Sequence, residues 1–305
     1  MENKNIIIAE TCGLCAGCKF AIFSATKELE KNNSVTLFKE IVHNKNINNN
    51  LKQKGILFAE TKEELSPNST AIIRAHGEPP ETYEYLNTHG IPFIDCTCTN
   101  VKKIHEEVSK FSEDGFAIAI LGKFDEETGI THPEVEGTVG WCKTPPVLIS
   151  KKEHITKLDD ISGKLYLVCQ TTFNEKKADE IIEQIIYRYN SKLEIVTNKS
   201  ICQAQKIINE CSAELAKNVD LMFVVGGKHS SNTTELANNI SKITTTIFLE
   251  NIENFEIALK ENNIVLTKDT KIGLTAGAST DKEELVTLKK MLTEYIGDYN
   301  ERKNQ

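Results

Sequence analysis

No apolar run in this sequence approaches the ~20 residues of a membrane-crossing helix. Runs such as LMFVV have the length of a strand. The opening MENKNIIIAETC carries acids early and no extended apolar segment, so it reads as neither a signal nor a transit peptide. A cytoplasmic location with no membrane partner is the expectation. Positive charge is short as well: 36 Lys and Arg against 44 Asp and Glu leave a net charge of -8. Without a broad basic field, nucleic acid is not an expected partner, and any anionic ligand must be held by a local site. The phosphate loop GxxxxGK[ST] is absent. Cys12, Cys15 and Cys18 form C-x2-C-x2-C, but no Cys-Pro follows to complete a bacterial ferredoxin run. A zinc site would want a second CxxC or a histidine pair at suitable spacing, and neither is there.

Cysteine itself is plentiful, with nine in 305 residues. A secreted disulfide scaffold is disfavoured by the size of the chain, the odd count and the lack of a leader. In a reducing compartment, clustered cysteines point to metal or catalysis.

Short runs rich in Ile, Val and Phe alternate with helical patterns, the signature of βαβ units and parallel sheets. Three times a strand ends, a polar loop holds a cysteine, and a helix begins. NIIIAE leads to Cys15, IPFID to Cys98 and KLEIV to Cys202. Six further strands end in polar residues. VTLFKEIV meets His43, TAIIRA meets His76, FAIAILG precedes His132, KLYLVC precedes Thr171, LMFVVGG precedes Ser230, Ser231 and Asn232, and KIGLTAG precedes Ser279. Weaker runs, ILFAE, PVLIS and TTIFLE, lie between the polar-ended pairs. The pattern predicts three divergent repeats of roughly 100 residues, each a four-stranded α/β domain. Their expected bounds are 16–98, 99–197 and 198–292 with strand 1–15, followed by a tail at 293–305. Ligands of open α/β sheets bind beyond the carboxyl ends of strands. Three such ends facing one axis would gather the cysteines among His, Thr, Ser, Asn and Glu.

Near a helix N-terminus, free N–H groups and the helix dipole favour thiolate, the form iron requires. Three protein ligands in place of four would leave one iron open to substrate. A single such cysteine is more often inert packing; three at equivalent places in a repeat are not. Cys142, Cys169 and Cys211 fall in or beside apolar segments and read as packing residues. His132-Pro-Glu134-Val-Glu136-Gly-Thr138 reads as a compact loop in which a carboxylate beside a histidine suits proton donation. An ordinary charged surface turn is the competing reading. The stretch from Gly226 through Lys228 to Glu235, and Thr275–Ser279, are Gly-rich turns before helices that suit a phosphate, or simply cap their helices. Lys228 is the cation nearest these motifs in sequence. His43 and His76, paired at strand ends, would suit a diphosphate.

The pieces GLCAGC, IVHN, AHGEPP, DCTCTNVKKIH, HPEVEGT, CQTTF, VVGGKHSSNTTEL and GLTAGAST, in that order, resemble the 4-hydroxy-3-methylbut-2-enyl diphosphate reductase family (LytB/IspH) from about Ile6 to Leu292. The resemblance implies three α/β domains in a trefoil around a central [4Fe–4S] cluster, one per chain, on Cys15, Cys98 and Cys202. It implies substrate contacts from His43, His76, His132, Thr171, Ser230, Ser231, Asn232 and Ser279, with Glu134 delivering the proton. It implies reductive dehydroxylation to isopentenyl and dimethylallyl diphosphate, the last step of the non-mevalonate route, with electrons from a ferredoxin or flavodoxin. The chain departs from the family in Cys12, Cys18 and Cys96 and in the longer KFDEETGIT segment before His132. A protein that only transfers electrons would need no polar pocket, and a non-redox dehydratase would turn over without reductant.

Overall fold

The computed structural model describes residues 4–31, 33–41, 44–227, 230–278 and 280–303, with side chains at these positions except 45, 46, 231 and 298–303. The strands are β1 (Ile6–Ile8), β2 (Val35–Phe38), β3 (Leu57–Ala59), β4 (Thr70–Ile73), β5 (Phe93–Asp95), β6 (Ala117–Leu121), β7 (Val147–Ile149), β8 (Gly163–Cys169), β9 (Leu193–Asn198), β10 (Leu221–Val225), β11 (Thr245–Leu249) and β12 (Ile272–Ala276). The helices are α1 (Ala16–Glu30), α2 (Lys45–Gln53), α3 (Pro80–Thr88), α4 (Thr99–Glu113), α5 (Pro133–Gly140), α6 (Glu175–Tyr189), α7 (Gln203–Ala216), α8 (Ser231–Ile240), α9 (Phe255–Glu261) and α10 (Lys282–Lys303). Each apolar run named from the sequence forms a strand. Among the described residues no helix is long and apolar enough to cross a membrane.

The strands make three four-stranded sheets with one plan: β3-β2-β4-β5, β7-β6-β8-β9 and β11-β10-β12-β1. Every neighbouring pair is parallel. The weaker run always forms one edge, the two polar-ended strands the centre, and the cysteine strand the opposite edge. The reason is burial. A central parallel strand is covered on both faces and must be apolar throughout, whereas an edge strand tolerates polar positions. Thus β10 and β12 are buried at all five positions, while β11 alternates with exposed and half-buried residues.

Two compact units hold these sheets. The first (Met1–Lys19, Val42–Lys54, Gln203–Gln305) carries the β11-β10-β12-β1 sheet, and the second (Phe20–Ile41, Gly55–Cys202) carries the other two. In the first, Phe223 and Leu274 pack one sheet face on Leu285, Leu288 and Leu292 of α10. Met222 and Val224 pack the other face on Ile208 of α7 and Leu236 of α8. In the second, Leu121 and Leu167 meet Ile181 and Ile185 of α6, and Ile118 and Val168 meet Ile104 of α4 and Val135 of α5. Each such side chain contributes about 1.5–3 kcal/mol by leaving water.

One element differs from expectation. HPEVEGT is not a compact loop but the start of α5. Pro133 takes the first helical position, where its missing N–H costs nothing, and the His132 side chain caps the turn by accepting from Glu134 N. The stretch before it, 123–131, closes on itself as a small hairpin. Phe124 bridges Thr131, the Asp125 carboxylate accepts from Glu127 N and Thr128 N, and His132 N donates to Lys123 O at 3.0 Å.

Candidate active site

Helix α5 turns Glu134 inward. Its side chain is 2% exposed, while Glu136, two positions on and so across the helix, is an exposed partner of Lys39 at 3.6 Å. The Glu134 carboxylate accepts from Thr171 N at 2.6 Å and from Thr171 Oγ1 at 2.7 Å. Burial pushes its pKa up to about 7; the two Thr171 hydrogen bonds and the charge of Lys123 pull the other way without cancelling the rise. A carboxyl in that range can hold a proton at neutral pH and surrender it, which an ordinary surface glutamate cannot. Thr171 lies just past β8, and its carbonyl accepts from Cys202 N at 2.7 Å. A continuous bonded path therefore joins Glu134 to the backbone of Cys202.

His76 lies beside this group. Its ring meets that of His132 edge-to-face, with centroids 5.5 Å apart. The loop that carries it is clamped by residues the sequence reading passed over. Arg74 Nε donates to Glu78 Oε1 at 3.0 Å, both side chains being buried, and Lys39 Nζ lies 3.4 Å from Glu78 Oε2. Gly77 between them has φ +73°, and a Cβ there would sit 2.5 Å from the His105 ring, so only glycine fits. His105 is stacked on Trp141 at 5.4 Å, and burial pushes its pKa down to about 4. It is a neutral wall rather than an acid. The Arg74–Glu78 pair was legible in principle as opposite charges flanking AHG; Lys39 is too distant in sequence to be guessed.

The three candidate ligand cysteines share a local setting. Cys15, Cys98 and Cys202 each stand one residue before a helix, α1, α4 and α7, and all three are partly exposed. Cys12, Cys18, Cys96 and Cys169 are buried, and Cys142 and Cys211 partly so. For Cys15, the Cys18 thiol and then the N–H groups of Cys18 and Gly17 donate to the sulfur and bring its pKa down to about 6 against the effect of burial. Burial raises Cys12 and Cys96, and pushes Cys142 and Cys169 up to about 12. Cys98 N donates to Ala75 O at 3.0 Å, which ties it to the His76 loop. In the second unit, Asn100 of the first turn of α4 reaches Cys202, with Nδ2 3.7 Å from Sγ. Among the described residues no three His, Cys, Asp or Glu side chains are drawn together around a single ion. The donors at these three places are partly exposed thiols at helix starts, the ligand type an iron–sulfur cluster takes, one thiolate per iron.

In the first unit the Cys15 loop is bound to the loop after β12. Leu14 N donates to Thr280 O at 2.8 Å and Cys15 N to Ala278 O at 3.4 Å. Gly277 lies against α8 so closely that a Cβ would fall 2.0 Å from Thr233 Oγ1. Ser230 caps α8, accepting from Thr233 N at 3.4 Å and from Thr233 Oγ1 at 3.1 Å. Asn232 is half-buried in the first turn of that helix. His43, Lys228 and Ser279 lie outside the described residues, as does the side chain of Ser231. Lys123, just after β6, is near enough for its charge to act on Glu134.

Known proteins share this fold and much of this sequence. A solved structure described as (E)-4-hydroxy-3-methyl-but-2-enyl diphosphate reductase, the terminal enzyme of the non-mevalonate pathway, superposes with a TM-score of 0.74 at 31% identity, covering 95% of this chain and 99% of its own. The Plasmodium falciparum E-1-hydroxy-2-methyl-but-2-enyl-4-diphosphate reductase, at 24% identity and a TM-score of 0.77, shares the fold. The 4-hydroxy-3-methylbut-2-enyl diphosphate reductase of Clostridioides difficile (strain 630) is 36% identical over 289 residues, spanning 93% of this chain and 98% of that protein. That of Thermoanaerobacter sp. (strain X514) is 36% identical over 280 residues, spanning 90% and 92%. The family model for the LytB protein matches residues 6–293, and this chain belongs to the LytB family.

Proposed function

We propose that this protein is a 4-hydroxy-3-methylbut-2-enyl diphosphate reductase, the activity named for its Clostridioides and Thermoanaerobacter relatives. The substrate's hydroxyl leaves as water while two electrons and two protons enter, giving isopentenyl or dimethylallyl diphosphate. One observation carries the reading. A buried carboxyl with its pKa near 7 is bonded through Thr171 to the backbone of a cysteine at a helix start. Proton donor and candidate iron ligand are thus parts of one hydrogen-bonded group.

Cys15, Cys98 and Cys202 are assigned to a single [4Fe–4S] cluster. When bound, that cluster supplies electrons and a Lewis-acidic iron. Glu134 holds a proton at its carboxyl and gives it to the departing oxygen, directly or through Thr171 Oγ1. Hydroxide is a poor leaving group, and protonation turns it into water. His76 and His132 offer ring N–H donors, and we assign His43, Ser230, Ser231, Asn232 and Ser279 to the diphosphate with them. A ferredoxin or flavodoxin type of carrier is the electron source, and the cytoplasm the location. The chain is read as three α/β domains, 16–98, 99–197 and 198–292 with 1–15, ending in the tail 293–305.

The test is anaerobic incubation of iron-replete protein with the hydroxylated diphosphate and a reduced carrier. Products are followed by mass spectrometry. The expected outcome is loss of one oxygen strictly dependent on reductant. Turnover without reductant would make the protein a dehydratase, and an iron-replete protein that ignores the diphosphate would make it an electron carrier.

A further inference from the structure

Cys202 has a side-chain donor beside its sulfur. Asn100 stands in the first turn of α4, two residues past Cys98, and its Nδ2 lies 3.7 Å from Cys202 Sγ. Both residues belong to the same compact unit. The N–H of Cys202 is already committed to Thr171 O at 2.7 Å, so it does not serve its own sulfur. Amide nitrogen and oxygen are assigned from the hydrogen-bond network, but here chemistry fixes the choice. A metal-bound thiolate has no proton and can only accept, so the asparagine must turn its NH2 towards it.

We infer that Asn100 sets the reduction potential of the iron–sulfur cluster assigned above, through an N–H···S bond to Cys202; this rests on that assignment. With the cluster bound, one electron passed from a reduced carrier of the ferredoxin or flavodoxin class would oxidise the carrier by one electron and add one negative charge to the cluster, with no proton in this step. Part of the added charge resides on the thiolate sulfurs. A donor aimed at one of them stabilises the reduced form more than the oxidised form, so the potential rises. Asn100 is a positioning and tuning residue, not a catalytic one. Its contact is with the sulfur of the ligand residue. An exposed asparagine could spend its amide on water; held at the start of α4, it faces the sulfur instead.

The experiment is a redox titration of the reconstituted holoenzyme, followed by electron paramagnetic resonance, with iron content measured for each variant. Asn100→Leu keeps the size and removes the donor. Asn100→Asp keeps the shape and substitutes a charged acceptor. The expected order of potentials is wild type highest, Asn100→Leu lower and Asn100→Asp lowest, at equal iron content. Turnover driven by a mild reductant should fall in the same order, while turnover driven by a strong one is retained. Coincident potentials for wild type and an iron-replete Asn100→Leu would overturn the inference. Loss of iron from both variants would overturn it too, because Asn100 would then hold the site together rather than tune it. A wild-type protein that takes up no cluster defeats the functional assignment itself, and this is seen before any variant is compared.

Discussion

Two loops each lead from the end of a central strand into a helix: the one after β6 and the one after β10. In both, a candidate site residue caps the helix. His132 accepts from Glu134 N at 3.2 Å, and Ser230 accepts from Thr233 N at 3.4 Å. In both, a residue of the first helical turn is driven into the interior, Glu134 at 2% exposure and Thr233 at 0%. The consequences differ because of what is buried. A hydroxyl that finds a partner merely packs, and Thr233 does so against Gly277. A carboxyl deprived of water changes its proton affinity, and Glu134 is pushed to about 7. One helix start therefore buries a carboxyl whose proton affinity is raised, and the other buries a hydroxyl that packs. Each is also tied to a candidate iron ligand, Cys202 through Thr171 O and Cys15 through the loop containing Ala278.

The largest effect should come from removing those ligands. Cys15→Ser, Cys98→Ser and Cys202→Ser should each lose most of the bound iron, because a hydroxyl is a poor iron ligand. Cys12→Ser, Cys18→Ser and Cys96→Ser should retain it, since those thiols are buried. Iron analysis and the visible spectrum of anaerobically purified protein decide this. Full iron in Cys202→Ser with loss in Cys18→Ser would reverse the assignment.

Next comes Glu134→Gln. Glutamine mimics the protonated carboxyl in shape but cannot donate the acidic proton, so turnover should fall by at least ~10²-fold with the cluster intact. Glu136→Gln, on the exposed side of α5, should change the rate far less. The same variant tests burial through pH. The folded pKa of Glu134 lies above the unfolded value of ~4.3, so the native state binds more protons between the two. Stability contributed by this group is thus fully present below pH ~4 and declines as pH rises to about 7. In Glu134→Gln that part of the decline should vanish, seen as a smaller drop in Tm between pH 5 and pH 8. An unchanged drop would show that the carboxyl is not desolvated as described.

How much of this was legible beforehand depended on range. Strands and cysteines before helices are written in local pattern, so LMFVV, TAII and the residues around Cys98 could be read directly. The weaker runs form edge strands, a position that their sequence alone did not assign to them. The start of α5 was missed because a histidine cap followed by proline looks like a turn until the backbone bond to Glu134 N is seen. Arg74 and Glu78 flank AHG as opposite charges four residues apart, but they close on each other across a glycine turn rather than along a helix, which the pattern alone does not show. Asn100 was hidden in plain view, since its partner Cys202 is brought near only by the folding of an entire sheet.

The smallest predicted effects separate the two jobs of the β10 loop. Ser230 serves α8 as its cap, so Ser230→Ala should cost about 1 kcal/mol of stability by the usual value of such caps. It should also weaken diphosphate binding if that hydroxyl meets the ligand. Ser230→Asp pulls these apart. Aspartate caps as well as serine and its charge suits a helix N-terminus, so Tm should recover. The same charge repels a diphosphate, so KM should rise further rather than recover. Asn232→Ala supplies the control in the first turn of the helix, where the cap is untouched. It should raise KM with little change in Tm and none in the cluster spectrum. Thermal melts and anaerobic kinetics on the three variants would give the pattern. If KM followed Tm through the series, with Ser230→Asp restoring both, this helix start would be only a structural cap, and the contrast with the Glu134 loop would be one between a site and a scaffold.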